Sequence, residues 1–157
     1  MTQSQIYLYG IDLGKNWFHL VAMDRMGDVL TKPKPTCAQL KQFIGITSPY
    51  RVAFEACLGS QYWGRLSQQV GFEFKIIPAQ FVKPYLKSNK NDFNDATAIA
   101  EASSRGVMHR VLLKSHEQLA LQAAHRVRQR FIIERTSTVN QMRALLLEYG
   151  LTVPVGR

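Results

Sequence analysis

Residues 6–31, IYLYGIDLGKNWFHLVAMDRMGDVLT, decide the fold. Three runs rich in β-branched and aromatic residues are separated by the short polar sequences GKN and RMGD. Such runs with short connections predict three strands in an antiparallel meander. Pro33 and Pro35 end the third strand, because proline has no N–H to donate to a strand ladder.

A strand–helix–strand pattern follows the meander. Residues 51–56, RVAFEA, and residues 72–78, FEFKIIP, are short apolar strands, and residues 60–70 between them have one apolar helical side. This spacing indicates a βαβ crossover, which requires parallel pairing. Thr36 is the predicted N-cap of a helix over residues 38–45. The order of elements predicts an α/β fold with the mixed five-stranded sheet of RNase H-like proteins, flanked by helices, although other α/β arrangements share this order.

The second half of the chain is predicted to be mainly helical. Residues 81–91, FVKPYLKSNKN, are expected to form a basic loop, and the alanine-rich segment Asp92–Ser104 a helix. Apolar residues then recur at helical spacing over residues 115–149, behind a serine N-cap. A stripe of this length favours a coiled-coil arm or a dimer contact. The chain is therefore divided into a sheet domain, residues 1–110, and a long helical segment, residues 111–157.

Charge gives the first indication of a partner. Twenty Lys and Arg against eleven Asp and Glu give a formal net charge of +9, which favours a polyanion such as nucleic acid. The alternative is a basic domain that binds none. No apolar run approaches the roughly 18 residues of a membrane span and no signal peptide is evident, so a cytoplasmic protein without a membrane partner is expected. Cys37 and Cys57 are expected to be reduced and partly buried.

Four carboxylates stand at positions where they could meet. Asp12 and Glu55 lie near the ends of apolar strands, where a buried acid must be paired or bind a metal. If these strands are parallel neighbours, both acids emerge at the carboxyl edge of the sheet, where ligands bind in open α/β sheets. Asp92 and Asp95, three residues apart at a helix start, share one helix face. A helix crossing that edge would bring all four together.

Such a cluster predicts a metal-dependent catalytic site. Mg²⁺ prefers carboxylate oxygen and water, and Mn²⁺ is expected to substitute for it. Two ions roughly 4 Å apart can activate the attacking oxygen of a phosphodiester and neutralise the leaving one. Each acid also has a simpler explanation. Asp12 could cap the following turn, Glu55 could pair with a buried base, and Asp92 and Asp95 are favoured at a helix start by the macrodipole.

Several basic residues are candidate nucleic-acid contacts, either beside the acidic helix or along the long helix. They are Lys15, Lys83, Lys87, Lys90, Arg126 and Arg130. For the arginines, solvated flanks of a coiled coil are the alternative to phosphate contacts. The four histidines match no zinc motif and are expected to have surface or packing roles. They are His19, His109, His116 and His125. Tyr62 and Trp63 are expected in the core.

Four segments together resemble one known family. They are GIDLGK (residues 10–15), FEACLGSQYWGRL (54–66), IIPAQFVKPYLKSNKNDFNDATAIAEA (76–102) and the Arg-rich helix after them. In this order they are similar to the N-terminal half of the Piv-type DEDD insertion-sequence transposases, relatives of the Piv DNA invertase with a RuvC-like catalytic domain. The most specific match is KNDFNDA (90–96), which fits the family signature K-x-D-x-x-D-A. The four family acids fall on Asp12, Glu55, Asp92 and Asp95. GIDLGK alone also resembles the first phosphate loop of actin-like ATPases, whose other motifs are absent.

The resemblance implies a transposase or recombinase that cleaves and rejoins the DNA strands of an insertion element with two Mg²⁺ ions. It also implies a noncoding guide RNA, DNA partners at the element ends and the target, and action at the bacterial nucleoid. Family members need a second domain with a nucleophilic serine. Neither Ser60, Ser88 nor any other serine here is expected to fill that role, so complete recombination is not expected of this chain alone. The alternative is a non-catalytic module that binds nucleic acid and dimerises through the long helix.

Overall fold

The computed structural model describes residues 6–46, 51–87, 91–106 and 108–154. The chain divides into two compact units, Met1–Leu113 and Lys114–Arg157. The first unit holds the sheet and the second holds the long helix.

A mixed five-stranded sheet forms the centre of the first unit. Its strands are β1 (Leu8–Leu13), β2 (Phe18–Met23), β3 (Val29–Thr31), β4 (Arg51–Glu55) and β5 (Glu73–Ile77). They lie in the order β3-β2-β1-β4-β5, with β2 antiparallel to both of its neighbours and β1, β4 and β5 parallel. This order confirms the predicted meander and βαβ crossover, and it is the topology of an RNase H-like fold.

The helices described in the chain are α1 (Cys37–Ile46), α2 (Ser60–Gln69), α3 (Ala79–Val82), α4 (Asp92–Ser104) and α5 (His116–Glu148). The predicted N-cap of α1 is confirmed, because Gln39 N donates to Thr36 Oγ1 over 3.3 Å and Thr36 N donates to Gln39 Oε1 over 2.8 Å. The predicted loop over residues 81–91 is wrong at its start. There α3 and a 3-10 turn, Lys83–Tyr85, are too short to leave a periodic pattern.

The sheet is buried on both faces. On one face Ile11 and Phe54 pack with Trp63 of α2, and on the other Ala53 and Ile77 pack with α4. Trp63 therefore confirms its predicted core position. The same prediction for Tyr62 is wrong, because its side chain is 45% exposed. Neighbouring residues on a helix do not share a face, so only one of the two can turn toward the sheet.

Helix α4 lies directly against β1 and β2. A Cβ built on Gly10 would lie 2.7 Å from the backbone N of Ala100 and 2.8 Å from its Cβ, closer than real side chains approach. Ala96 and Ala100, both fully buried, keep the facing side of the helix equally thin. The absence of large side chains at this contact lets α4 lie close against the sheet, with its first turn at the carboxyl end of β1.

The second unit is built on α5. Its predicted serine N-cap is confirmed, since Gln118 N donates to Ser115 Oγ over 3.1 Å and Ser115 N donates to Gln118 Oε1 over 2.9 Å. None of its 33 residues is buried. Within the described residues, no helix has the length and apolar character needed to cross a membrane. Cys37 and Cys57 are both free and exposed, so their expected partial burial is wrong.

Candidate metal centre

The sheet places Asp12 and Glu55 side by side. β1 and β4 are parallel neighbours, with Gly10 opposite Ala53 and Ile11 opposite Phe54, so Asp12 and Glu55 follow as the next pair. Side chains alternate along a strand, which puts these two acids on the sheet face that Ala53 shares with α4. Both carboxylates are half-buried at the carboxyl edge of the sheet, where the sequence predicts them.

Helix α4 supplies the other two acids. Its N-cap is Asn91, whose side-chain oxygen accepts from Phe93 N over 3.0 Å and fixes the first turn. Carboxylate oxygens of Asp12, Asp92 and Asp95 all lie within 4.8 Å of one another. Three of the four predicted ligands therefore meet at one point.

Among the described residues, the group of closely spaced carboxylates does not include Glu55, which lies beside it. Burial, followed by the charge of Asp95, raises the pKa of Glu55, while the charge of Lys83 lowers it. These influences place Glu55 beside Asp95, with Lys83 as a nearby cation. The fourth acid thus lies at the edge of the cluster.

The acids repel one another. Burial, then the charges of Asp95, Asp92 and Glu55, raise the pKa of Asp12 to about 6, while the Leu13 N–H that it accepts acts in the opposite direction. A divalent cation between these oxygens would remove that repulsion. An all-oxygen donor set of this kind suits a hard ion such as Mg²⁺ or Mn²⁺.

His19, which the sequence does not mark as a site residue, also lies at this cluster. It lies in β2 directly opposite Asp12 and is buried, so of the surface and packing roles expected for the histidines it has the packing one. Its Nε2 lies 3.5 Å from Asp92 Oδ2, and its Nδ1 lies 4.0 Å from Asp12 Oδ2. A signal was available, because a connection of four residues between β1 and β2 pairs Leu13 with Phe18 and hence Asp12 with His19.

The basic candidates are distributed unevenly. Lys83 is near the acids, whereas Lys87 lies 3.9 Å from Glu101, farther along α4. Lys15 is exposed just beyond β1. Lys90, like Ser88, lies outside the described residues. In the second unit Arg126 is exposed, and Arg130 pairs with Glu134 at 2.7 Å.

The fold and the site together define the class of this protein. It is an RNase H-like domain with a cluster of carboxylates at the carboxyl edge of its sheet. The particular family follows from the sequence profile of the IS110 DEDD transposases, which matches residues 9–151. The chain belongs to this family. This membership confirms the predicted resemblance to the DEDD insertion-sequence transposases.

Two curated relatives show how the chain compares with longer proteins. It is 45% identical over 151 residues to the transposase for insertion sequence element IS1328 of Yersinia enterocolitica, covering 96% of this chain and 45% of that protein. It is 40% identical over 155 residues to the transposase for IS1111A of Coxiella burnetii, covering 99% of this chain and 43% of that protein. The chain thus spans less than half the length of these relatives. Among solved structures, T. thermophilus RuvC in complex with a Holliday junction substrate aligns with a TM-score of 0.49 and 14% identity, over 66% of this chain and 98% of that chain.

Proposed function

We propose that this chain is the catalytic part of a transposase that cleaves and rejoins the DNA strands of an insertion element with Mg²⁺. The observation that carries the proposal is the meeting of three aspartate oxygens within 4.8 Å at the carboxyl edge of the sheet. Membership of a transposase family supports the same reaction class.

The proposed metal ligands are Asp12, Glu55, Asp92 and Asp95, which would hold two Mg²⁺ ions or Mn²⁺ in their place. When bound, the ions would supply Lewis-acid chemistry at the attacking and leaving oxygens of a phosphodiester. The Asp92 side chain is 64% exposed and that of Asp12 31% exposed, so the cluster opens to solvent on the Asp92 side. DNA would enter from this side.

Basic residues would hold the nucleic acid by its phosphates. Lys83 has the strongest case, because its charge reaches Glu55 at the edge of the cluster. Lys87 shares an exposed ion pair with Glu101, an interaction weak enough to be exchanged for a phosphate. Lys15, Lys90, Arg126 and Arg130 complete the proposed set.

Further parts of the proposal rest on the family resemblance alone. They are a guide RNA encoded by the element, DNA partners at the element ends and target, the relation to the Piv invertase, and action in the bacterial cytoplasm at the nucleoid. Residues 1–110 would carry the chemistry and residues 111–157 the helical arm. RNA that copurifies with the whole protein, and whose removal abolishes strand exchange, would support the guide; exchange that survives RNase treatment would contradict it.

Self-association through α5 is proposed from its exposed apolar surface. Ala124, Val127 and Phe131 form an exposed apolar stripe along α5, flanked by Arg128 and Arg135. A second copy presents the same stripe, which is the complementarity that a symmetric helical dimer requires. Light scattering should give a dimer that Phe131→Glu converts to a monomer. A wild-type monomer at high concentration would contradict this part of the proposal.

The direct test of the proposed reaction is Asp12→Ala in the whole protein. Mg²⁺-dependent strand cleavage should be lost, because a half-buried ligand of the triad is removed. Retained cleavage would contradict the proposal. The alternative function, a non-catalytic nucleic-acid-binding module, predicts DNA binding that is salt-sensitive, metal-free and indifferent to changes at Asp12 and Asp95.

A further inference from the structure

We propose that His19 is a positioning residue that holds the Asp92 carboxylate in the orientation needed by a divalent cation. The inference rests on the proposed metal site. It assigns a role to a side chain that neither the DEDD acids nor the sequence motifs include.

His19 is unusual for its surroundings. β2 reads FHLVAM, and all six residues are buried, so His19 is the polar member of an otherwise apolar strand. Its Nδ1 is buried and has no hydrogen-bond partner. An unpaired buried polar atom costs free energy, and such an atom in a native fold calls for an explanation such as an ion or a functional role.

The His19 ring lies at the base of the carboxylate cluster. The His19 side chain is 8% exposed, whereas those of Asp12 and Asp92 are 31% and 64% exposed. The imidazole therefore forms the floor of the cluster, and the acids reach past it toward solvent. The Phe93 ring meets it edge to face at 4.8 Å and restrains it from the side of α4.

The geometry indicates which acid His19 serves. A neutral imidazole has one N–H, and Nε2, at 3.5 Å from Asp92 Oδ2, is the nitrogen nearer to a carboxylate. Donation from Nε2 to Oδ2 would leave the other Asp92 oxygen free for a cation. Hydrogen bonds that orient metal ligands in this way typically change metal affinity by about 10- to 100-fold when removed.

The experiment is calorimetric titration of Mn²⁺ into the 157-residue chain at about pH 8, where exposed carboxylates are ionised. Four variants accompany the wild type. His19→Leu removes the N–H, and His19→Gln supplies an amide N–H at the same reach. Thr97→Val is the matched control, since it changes another buried polar residue near the site whose hydroxyl donates to Phe93 O of its own helix. Asp12→Asn removes a ligand.

His19→Leu should weaken Mn²⁺ binding about 10- to 100-fold, His19→Gln should restore most of it, and Thr97→Val should bind like the wild type. Thermal unfolding without metal checks that each variant folds. If His19→Leu is unfolded, His19→Asn, whose shorter amide does not reach Asp92, replaces it. Wild-type affinity in the variant without the donor, or equal weakening in His19→Gln, overturns the positioning role. Wild-type protein that binds no Mn²⁺, or binds it no better than Asp12→Asn, contradicts the metal site itself and this role with it.

Discussion

Helices α4 and α5 begin in the same way but differ in how much of their surface is buried. Both start at a side-chain N-cap, Asn91 and Ser115, and both carry acids in their first turn. Yet α4 buries seven of its 13 residues, and α5 buries none of its 33. The difference lies in residue size, because alanines let α4 approach the sheet backbone, while α5 presents large apolar side chains such as Phe131 to its surroundings.

This comparison shows how an acid at a helix start is brought into a carboxylate cluster. Asp95 and Glu117 occupy the same kind of position, where the macrodipole favours any acid. Of these two, Asp95 lies beside Asp12, because the close approach of α4 to Gly10 sets the first turn of the helix over the end of β1. The packing of the helix, rather than its capping, brings its first turn to the cluster.

The largest expected effect separates these two acids. Asp95→Asn should lower Mg²⁺-dependent strand cleavage by the whole protein by about a thousandfold or more, since charge stabilisation by bound metal contributes several kcal/mol. Asp95 raises the pKa of both Asp12 and Glu55, which makes it the central charge. Glu117→Gln is the control and should leave cleavage unchanged. Equal losses of cleavage in both variants would contradict the claim that Asp95, and not Glu117, belongs to the reactive site.

Next in size is the packing of α4. Gly10→Val should destabilise the first unit by about 3 kcal/mol, because the new side chain would strike the backbone of α4. Leu121→Ala in α5, at a position that is 61% exposed, should change stability by no more than about 0.5 kcal/mol. Urea unfolding measures both. A Gly10 variant as stable as the wild type would show that α4 is not held by this contact.

Stability should also depend on pH through Asp12. Its pKa is raised in the folded state to about 6 from 3.8, so the folded chain binds this proton more tightly than the unfolded chain. The metal-free protein should therefore gain stability as pH falls from about 7.5 through about 6 to about 5, by about 1 kcal/mol after allowance for solvent screening. Asp12→Asn should remove this gain, as measured by urea unfolding at each pH. A wild type and variant with parallel profiles would contradict the burial and repulsion assigned to Asp12.

The smallest expected effect concerns the arginines of α5. Replacing Arg126 and Arg130 together with Gln should lower the salt dependence of DNA binding by about 2 in slope, because two phosphate contacts are lost. Arg143→Gln should leave the slope unchanged, since its guanidinium already donates to Pro154 O over 3.1 Å. Fluorescence anisotropy over a salt series measures the slopes. An unaltered slope in the double variant would contradict the proposed phosphate contacts of Arg126 and Arg130. Self-association would then be the remaining proposed role of α5.

Much of the fold could be predicted because it depends on local pattern. The strand order follows from short connections and one βαβ crossover, and the bounds of α4 follow from its alanines and its start at Asp92. The short helix α3 could not be predicted, since four residues make no periodic signal. Tyr62 was misplaced because the pattern does not decide which of two adjacent aromatic residues turns inward.

The candidate site was predictable to the extent that it lies on strand ends and a helix start. The meeting of Asp12, Asp92 and Asp95 could be predicted because Asp12 lies near the end of β1, while Asp92 and Asp95 lie in the first turn of α4. His19 could be placed only from strand register, which the four-residue connection between β1 and β2 indicates and the spacing of the histidines does not. Its contact with Asp92 further depends on how closely α4 packs, a distance set by three-dimensional fit.

The central claim is that these acids hold divalent cations, and Mn²⁺ soaked into crystals of the chain tests it most directly. Anomalous diffraction should show Mn²⁺ between Asp12, Asp92 and Asp95, with a second ion toward Glu55, and both should disappear in Asp12→Asn. Saturating Mn²⁺ that leaves this position empty in the wild type, or that occupies it equally in Asp12→Asn, would contradict the account.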